Sequence, residues 1–520
     1  MKFKILFSFI LFLFFATVSR ATDNSHIVND TITDFKVKGF HLDLRIQVMT
    51  PQALHEFAEE LADFGINTLV MEYEASYPYE KHATISNHLA YSRQEIKAFI
   101  AHCEQLGIDV IPLQQCFGHV EYILRNDRYH ELKEDKKEIS QICPIKVQNN
   151  STLFMELFED MATMHPSEYI HIGGDETYLL GHCELCSLKA EQEGKSKLFV
   201  DYMKMICQQV IDLGKTPVMW ADILLKYPQA AEELPKETIF IDWNYGWKTN
   251  HFGDIGALQE KGFNFWGAPS IRSHPDNWYL TEWKKHFENQ RDFIPYARKA
   301  NYSGMIMTSW STSGLYGFTW DVGYDVVDME QIRNNYPLSG FRILIAAYAQ
   351  SLKQQEPLDP KGFVIDYAHK RFGLSKKQAE QFWGALTIEQ ELITKGKPVK
   401  SESIDQLQIV AQGASDILYQ LKPTQNEKEF EHFRLMIDLR KSYLSFSEIK
   451  TFYNSDDFTR TDAKKALPKL EALLEQSQSL NQRFTKLNKG FLSDEEILDQ
   501  NEIRELPLKI LYKRMFNLVQ

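Results

Sequence analysis

The sequence predicts an α/β protein: a (β/α)8 TIM barrel followed by a C-terminal α-helical domain. From about residue 36, eight short apolar runs alternate with helix-patterned segments over some 310 residues, the repeat expected of a closed parallel barrel. The runs end in acids, amides and aromatic rings, as barrel strands do where their carboxyl ends frame a site. Beyond residue 350 only 6 of the 25 glycines remain, and long amphipathic stretches take over. A doubly wound open sheet is the alternative arrangement of the same units.

Val37–Leu44 is the first predicted strand, and Thr50-Pro51 opens a helix whose core face is Leu54, Phe57, Ala58, Leu61 and Phe64. Asn67–Tyr73 is the second strand, and its helix Ser92–Leu106 begins with a capping box of Ser92 and Glu95. Ile108–Leu113 follows, then a longer loop and a helix over Ser151–Met164. The fourth strand is the stretch Glu168–Glu176, whose apolar run Tyr169–Ile172 breaks at two glycines, and one helix is predicted over Ser187–Leu213. Thr216–Trp220, Thr238–Trp243, Asn264–Ala268 and Gly304–Trp310 complete the eight. Helical spacing at Ile404, Leu407, Ala411, Ala414, Leu418 and Leu421, then at Phe430, Phe433, Ile437, Arg440 and Leu444, predicts a bundle-like C-terminal core.

These segments divide the 520 residues into a signal peptide (1–21), a catalytic barrel (36–348) and a helical domain (349–520). Lys2 and Lys4 precede the apolar run Ile5–Phe15, and Ser19-Arg20-Ala21 supplies small residues for cleavage, so a secreted or periplasmic protein is expected. No later stretch is apolar enough to span a bilayer. A formal charge of -13 argues against nucleic acid as a partner. The tryptophans cluster between Trp220 and Trp383, and flat rings suit the apolar faces of sugars as well as a packed core. Cys183 and Cys186 could form a tight disulfide or half of a zinc site. A second paired motif is missing, so a disulfide or free thiols are expected, and neither metal nor cofactor.

The chemistry is expected in Glu168-Tyr169-Ile170-His171-Ile172-Gly173-Gly174-Asp175-Glu176. A strand-like run breaks at two glycines and delivers adjacent carboxylates, which the glycines can turn toward a pocket. Across the other strand ends stand Asp43, Glu72, Glu74, Gln115, His119, Trp220, Asp222, Trp243, Tyr245, Trp266 and Trp310. Acids, a histidine and indoles around one mouth are what a sugar pocket requires. His171 is expected to be a packed core histidine. An ionised Asp175 should disfavour a second charge next door, so Glu176 is expected to hold its proton more readily than a free glutamate.

At His171–Glu176 the sequence resembles glycoside hydrolase family 20, the β-N-acetylhexosaminidases, whose fourth barrel strand ends in His-x-Gly-x-Asp-Glu, and within it the hexosaminidase D type. The resemblance covers about residues 36–345 and includes Glu72-Tyr73-Glu74, Gln115-Cys116-Phe117-Gly118-His119, Asp175–Gly181 and Trp310. It implies a retaining exo-glycosidase acting on amino-sugar glycans, in which the substrate's own 2-acetamido oxygen is the nucleophile and an oxazolinium ion the intermediate. Glu176 is then the acid/base and Asp175 the orienter of the acetamido group. Tyr245 would meet the acetamido carbonyl oxygen, and Trp220, Trp266 and Trp310 would line the pocket. His119 and Glu72 would share a supporting hydrogen-bond network. The chain departs from related sequences at Asn244 and Ala221, where aspartates are usual, and the family's first-strand arginine would be replaced by Lys38 or supplied from elsewhere.

Two other readings fit the same residues. A metal-dependent barrel hydrolase could draw on His41, Asp43, His119, His171, Asp175 and Asp222. A non-catalytic carbohydrate-binding protein could use the same pocket, although binding alone gives no reason for a proton donor at Glu176.

Overall fold

A computed structural model describes residues 34–273, 276, 279–311 and 335–520. The leader expected over residues 1–21 lies outside the described residues. Eight parallel strands close a barrel: β1 (Val37–Asp43), β2 (Thr68–Glu72), β3 (Asp109–Leu113), β4 (Tyr169–His171), β5 (Thr216–Trp220), β6 (Ile239–Trp243), β7 (Asn264–Ala268) and, after a short β8 (Ser270–Arg272), β9 (Gly304–Ser309). Closure is made by β1 against β9, with Val37 opposite Gly304 and Phe40 opposite Met307. The open-sheet alternative is thereby removed.

Local signals place the helices. Thr50 accepts the Ala53 N–H in front of Pro51–Phe64, and Ser92 and Glu95 form the expected capping box before Arg93–Gln105. After β3 and a short helix at Glu121–Leu124, the long helix Val147–Met164 starts four residues before its expected start at Ser151. The single helix expected over 187–213 is two, Glu184–Glu193 and Lys195–Asp212, broken at Gly194 with φ +91°. The extra strand β8 pairs with β9 and carries Arg272, which donates to Gln47 and to the backbone oxygens of Tyr336 and Ser309.

The barrel interior is filled by Val70, Ile111, Leu113, Val218, Ile241, Trp266 and Ile306, and a larger apolar shell lies between strands and helices. The helix Arg342–Lys353 closes the barrel, with Tyr348 donating between the Gly39 and Met305 carbonyls on β1 and β9. A domain boundary at residue 348 would therefore cut a helix that belongs to the barrel.

Beyond it run the helices Pro360–Phe372, Lys376–Leu386, Ile404–Gln420, Glu427–Tyr453, Arg460–Asn488 and Asp494–Val519, interrupted by a small hairpin at 393–398. The predicted stripe of Ile404, Leu407, Ala411, Ala414 and Leu418 is buried, as are Phe430, Phe433, Arg440 and Leu444. This region packs on the barrel through Trp283 against Phe433 and through Tyr336, whose hydroxyl lies 2.7 Å from His432 Nδ1. Among the described residues no helix is long and apolar enough to cross a membrane.

Candidate active site

The end of β4 is bent by its own sequence. His171 is fully buried, and its Nδ1 accepts the Gly173 N–H at 3.0 Å. Gly173 sits at φ +66°, where a Cβ would also lie 1.8 Å from Gln115 Oε1, so a side chain there would be strained and would have to displace the Gln115 amide. The strand stops at His171, and the chain swings Asp175 and Glu176 toward the loop that follows β3. Glu176 itself has φ +47°, and its N–H donates to Asp222 Oδ2 at 3.3 Å.

The loop after β3 meets the two acids closely. At Gly118 a Cβ would lie 2.4 Å from the Asp175 carbonyl oxygen, and only hydrogen permits that approach. The next residue, His119, places Nε2 at 3.4 Å from Asp175 Oδ2 and 3.3 Å from Glu176 Oε2. Glu74, His119 and Glu176, each in the segment that follows a different barrel strand, all have φ between +46° and +54°. Such backbone costs on the order of 1–3 kcal/mol per residue and concentrates at functional sites.

Electrostatics in this cluster differ from the sequence expectation. Burial alone would raise Glu176, but the hydrogen bond and charge of His119, with the Tyr178 hydroxyl at 2.7 Å from Oε1, outweigh it and bring Glu176 down to about 2. His119 moves the opposite way: burial disfavours its charge, yet Asp175 and Glu176 hold it well above the ordinary histidine value. The proton expected on Glu176 therefore resides on His119. Carboxyls around the pair are raised instead: Asp222 is pushed to about 7 by burial and then by the charge of Asp175, burial likewise brings Glu121 to about 7 against the opposing charge of His119, and burial raises Glu74.

Beside this cluster is a second, buried network. Arg45 grips Asp43 with two parallel bonds, Nε to Oδ1 at 3.0 Å and a terminal nitrogen to Oδ2 at 2.8 Å, and lies 5.3 Å over the Trp310 ring. Glu72 pairs with His41 Nε2 at 2.8 Å and accepts from Gln115 at 3.0 Å. His119 and Glu72, expected in one network, thus have different partners. Lys38, the expected stand-in for a first-strand arginine, is at the start of β1 on Asp34, whereas Arg45 lies just past its end. Sequence reading missed Arg45 and gave Tyr178, which it named only within the motif Asp175–Gly181, no role, although each lies two residues beyond an acid already singled out, Asp43 and Glu176.

Aromatic rings complete the wall. Trp310 Nε1 donates to the Tyr245 hydroxyl at 2.8 Å, and Trp220 stands 5.8 Å from Trp310 and 4.5 Å from His171. Burial pushes the Tyr245 phenol well up, so it stays neutral and able to donate. Trp266 does not join them. It is 1% exposed at mid-strand in β7, edge-on to Tyr169 at the start of β4, and the Gly304 α-carbon leaves room for it. Its indole is barrel filling. Asn244, where an aspartate is usual, accepts the Gly246 N–H at 2.9 Å and shapes the turn that presents Tyr245.

The residues considered for a catalytic metal do not converge: Asp43 is committed to Arg45 and His41 to Glu72. Among the described residues the metal-compatible group lies elsewhere, where Cys143 and Glu134 join Cys183 and Cys186, so the pair is not the isolated motif that the sequence suggested.

The catalytic-domain model of glycosyl hydrolase family 20 matches residues 39–316, more than half of the chain. The chain is similar to hexosaminidase D of Bos taurus, 27% identical over 288 residues that cover 52% of this chain and 83% of that protein. It is similar to hexosaminidase D of Homo sapiens at 27% over 301 residues, 55% of this chain and 62% of that one. Among solved structures, the chitobiase of Flavobacterium johnsoniae aligns with a TM-score of 0.49 and 15% identity over 87% of this chain and 78% of its own. With a closed eight-stranded barrel whose fourth strand runs into Asp175-Glu176, and with most of that barrel matched to the family's catalytic domain, the chain belongs to glycosyl hydrolase family 20.

Proposed function

We propose that the protein is a retaining exo-β-N-acetylhexosaminidase that removes terminal β-linked N-acetylhexosamine, GlcNAc or GalNAc, from glycans by substrate-assisted catalysis. The observation that carries this reading is the contact of one histidine, His119, with both members of an adjacent Asp-Glu pair. Adjacent carboxylates cannot flank a scissile bond from opposite sides, as the acid and nucleophile of most retaining glycosidases do, and family 20 is an established exception to that scheme.

The assigned roles follow the positions of the groups. The acetamido N–H docks on Asp175, and the Tyr245 hydroxyl donates to the acetamido carbonyl. That carbonyl oxygen then attacks the anomeric carbon from within the substrate. Charge developing on the acetamido nitrogen is stabilised by Asp175. The departing oxygen takes its proton from Glu176, supplied across the 3.3 Å contact from His119. Water then opens the oxazolinium ion with Glu176 as base, returning the original configuration. Trp220 and Trp310 shield this centre, and Arg45 and Glu72 form a charged floor for sugar hydroxyls. The N-terminal apolar leader supports a secreted or periplasmic location.

Hydrolysis of p-nitrophenyl N-acetyl-β-glucosaminide, followed by proton NMR of the first-formed sugar, tests the proposal. The β-anomer should appear first and then mutarotate. First appearance of the α-anomer would refute retention, and tight binding of the sugar without turnover would favour the non-catalytic reading.

A further inference from the structure

Beyond the mouth, four donor atoms from two segments of the chain, the loop after β3 and the start of the helix Glu184–Glu193, meet at one point. Glu134, Cys143, Cys183 and Cys186 each offer an atom within 4.8 Å of all the others. The Cys143 sulfur lies 3.7 Å from that of Cys183 and 3.6 Å from that of Cys186, while the Cys186 sulfur is 3.3 Å from Glu134 Oε2. A zinc ion with Zn–S bonds of about 2.3 Å and a Zn–O bond of about 2.0 Å sets tetrahedral edges of about 3.8 Å between sulfurs and about 3.5 Å from sulfur to oxygen. The three edges at 3.3, 3.6 and 3.7 Å have that size, and the other three are no longer than 4.8 Å. A disulfide would need about 2.05 Å between sulfurs, and joining any two of three would strand the third.

The surroundings fix these donors. Glu134 Oε1 accepts the N–H groups of His182 and Cys183 at 2.8 Å each, which leaves Oε2 for the cluster. The Cys183 sulfur accepts the Cys186 N–H at 3.4 Å, the turn by which a Cys-x-x-Cys step aims both sulfurs at one point. Asn150 donates to the Cys143 carbonyl at 2.7 Å and holds the third sulfur's backbone. Glu134, Cys143 and Cys186 are buried and Cys183 is partly exposed, so three of the four donors are shielded from solvent.

We infer that these four residues form a structural zinc site, closed by three thiolates and one carboxylate. Three soft sulfur ligands select zinc over calcium or magnesium, and four protein ligands leave no open position for catalysis. Binding converts the thiols to thiolates and releases their protons to solvent. The ion would tie the loop after β3, which carries His119, to the loop after β4, which carries Asp175 and Glu176. Leu179 N–H donating to Gln141 Oε1 at 2.9 Å already links the same two loops. The site is a positioning staple for the His119 contact and takes no part in bond cleavage.

Metal analysis of the full chain, purified without chelator and desalted, is the test. About one zinc per chain is expected, with loss of that zinc in Cys143→Ser and retention in Cys103→Ser, whose buried thiol lies outside the cluster. Cobalt(II) substituted into the wild-type chain should show the intense visible bands and sulfur charge-transfer absorption of a tetrahedral thiolate site, which keeps the test valid if Cys143→Ser misfolds. Failure of the reduced wild-type chain to take up zinc or cobalt stoichiometrically would overturn the inference, as would a disulfide joining any two of the three cysteines in the isolated protein. Neither result depends on turnover, so the hydrolase reading stands or falls separately.

Discussion

His119 Nε2 lies 3.3 Å from Glu176 Oε2, and both residues hold left-handed backbone, φ +54° and +47°, to make that contact. Two strand-end loops are strained toward each other so that one proton is held between an imidazole and a carboxylate. Burial strengthens this pairing because a charge without its partner would be costly there.

Replacing Glu176 by Gln removes the proton donor, and replacing Asp175 by Asn removes the charge that steadies the acetamido nitrogen. Each should lower kcat by roughly 10²- to 10⁴-fold while the circular dichroism spectrum stays that of the parent. Near-parental turnover in either purified variant would contradict the role given to that residue.

His119→Gln should move the alkaline limb of the kcat/KM profile to lower pH. In the parent, the proton stays on the pair until pH exceeds the raised value of His119. In the variant only the Glu176 carboxyl can hold it, and a carboxyl gives it up sooner. An alkaline limb that stays in place would show that His119 does not feed Glu176.

Arg45→Met leaves Asp43 and Glu72 buried without their guanidinium. Burial opposes the ionisation of both acids, and Arg45 nevertheless holds both below the ordinary carboxylate range. Breaking such a buried pair costs about 3–5 kcal/mol. Stability contributed by a depressed carboxylate is present above its unfolded pKa and lost as pH falls, so the deficit against the parent should be full at neutral pH and shrink in acid. Urea unfolding at neutral and acidic pH measures it, and a deficit that does not change with pH would argue for lost packing alone.

Asp222→Asn should act in the opposite sense. The folded protein binds a proton at Asp222 up to about pH 7, so the parent loses stability as pH rises from the unfolded value of the carboxyl to that point. An amide has no such loss. Relative to the parent, the variant should therefore gain melting temperature at pH 8 compared with pH 4, and equal differences at the two pH values would contradict the raised carboxyl.

Much of this was legible in the chain because it rests on local rules. Thr50-Pro51 and the Ser92–Glu95 box mark helix starts whatever packs on them, and the break at Gly173-Gly174 announces a strand that ends in acids. What was not legible depends on distance across the fold. The Glu176 proton was misplaced because adjacency to Asp175 is visible in sequence, whereas the opposing charge of His119 comes from another loop. Trp266 reads like Trp220, yet its place at mid-strand in β7 and the space at Gly304 send it to the barrel interior. Cys143 and Glu134 lie some 40 residues or more before Cys183, so no local spacing pointed to their meeting.

The central claim is that the sugar brings its own nucleophile, and a matched pair of aryl β-glycosides tests it most directly: one with the 2-acetamido group, one with a 2-hydroxyl in its place. The account predicts rapid release of the phenol from the acetamido compound and at least a thousandfold lower kcat/KM for the other, since nucleophile and orienting contact are both lost. Comparable kcat/KM values for the two would contradict it.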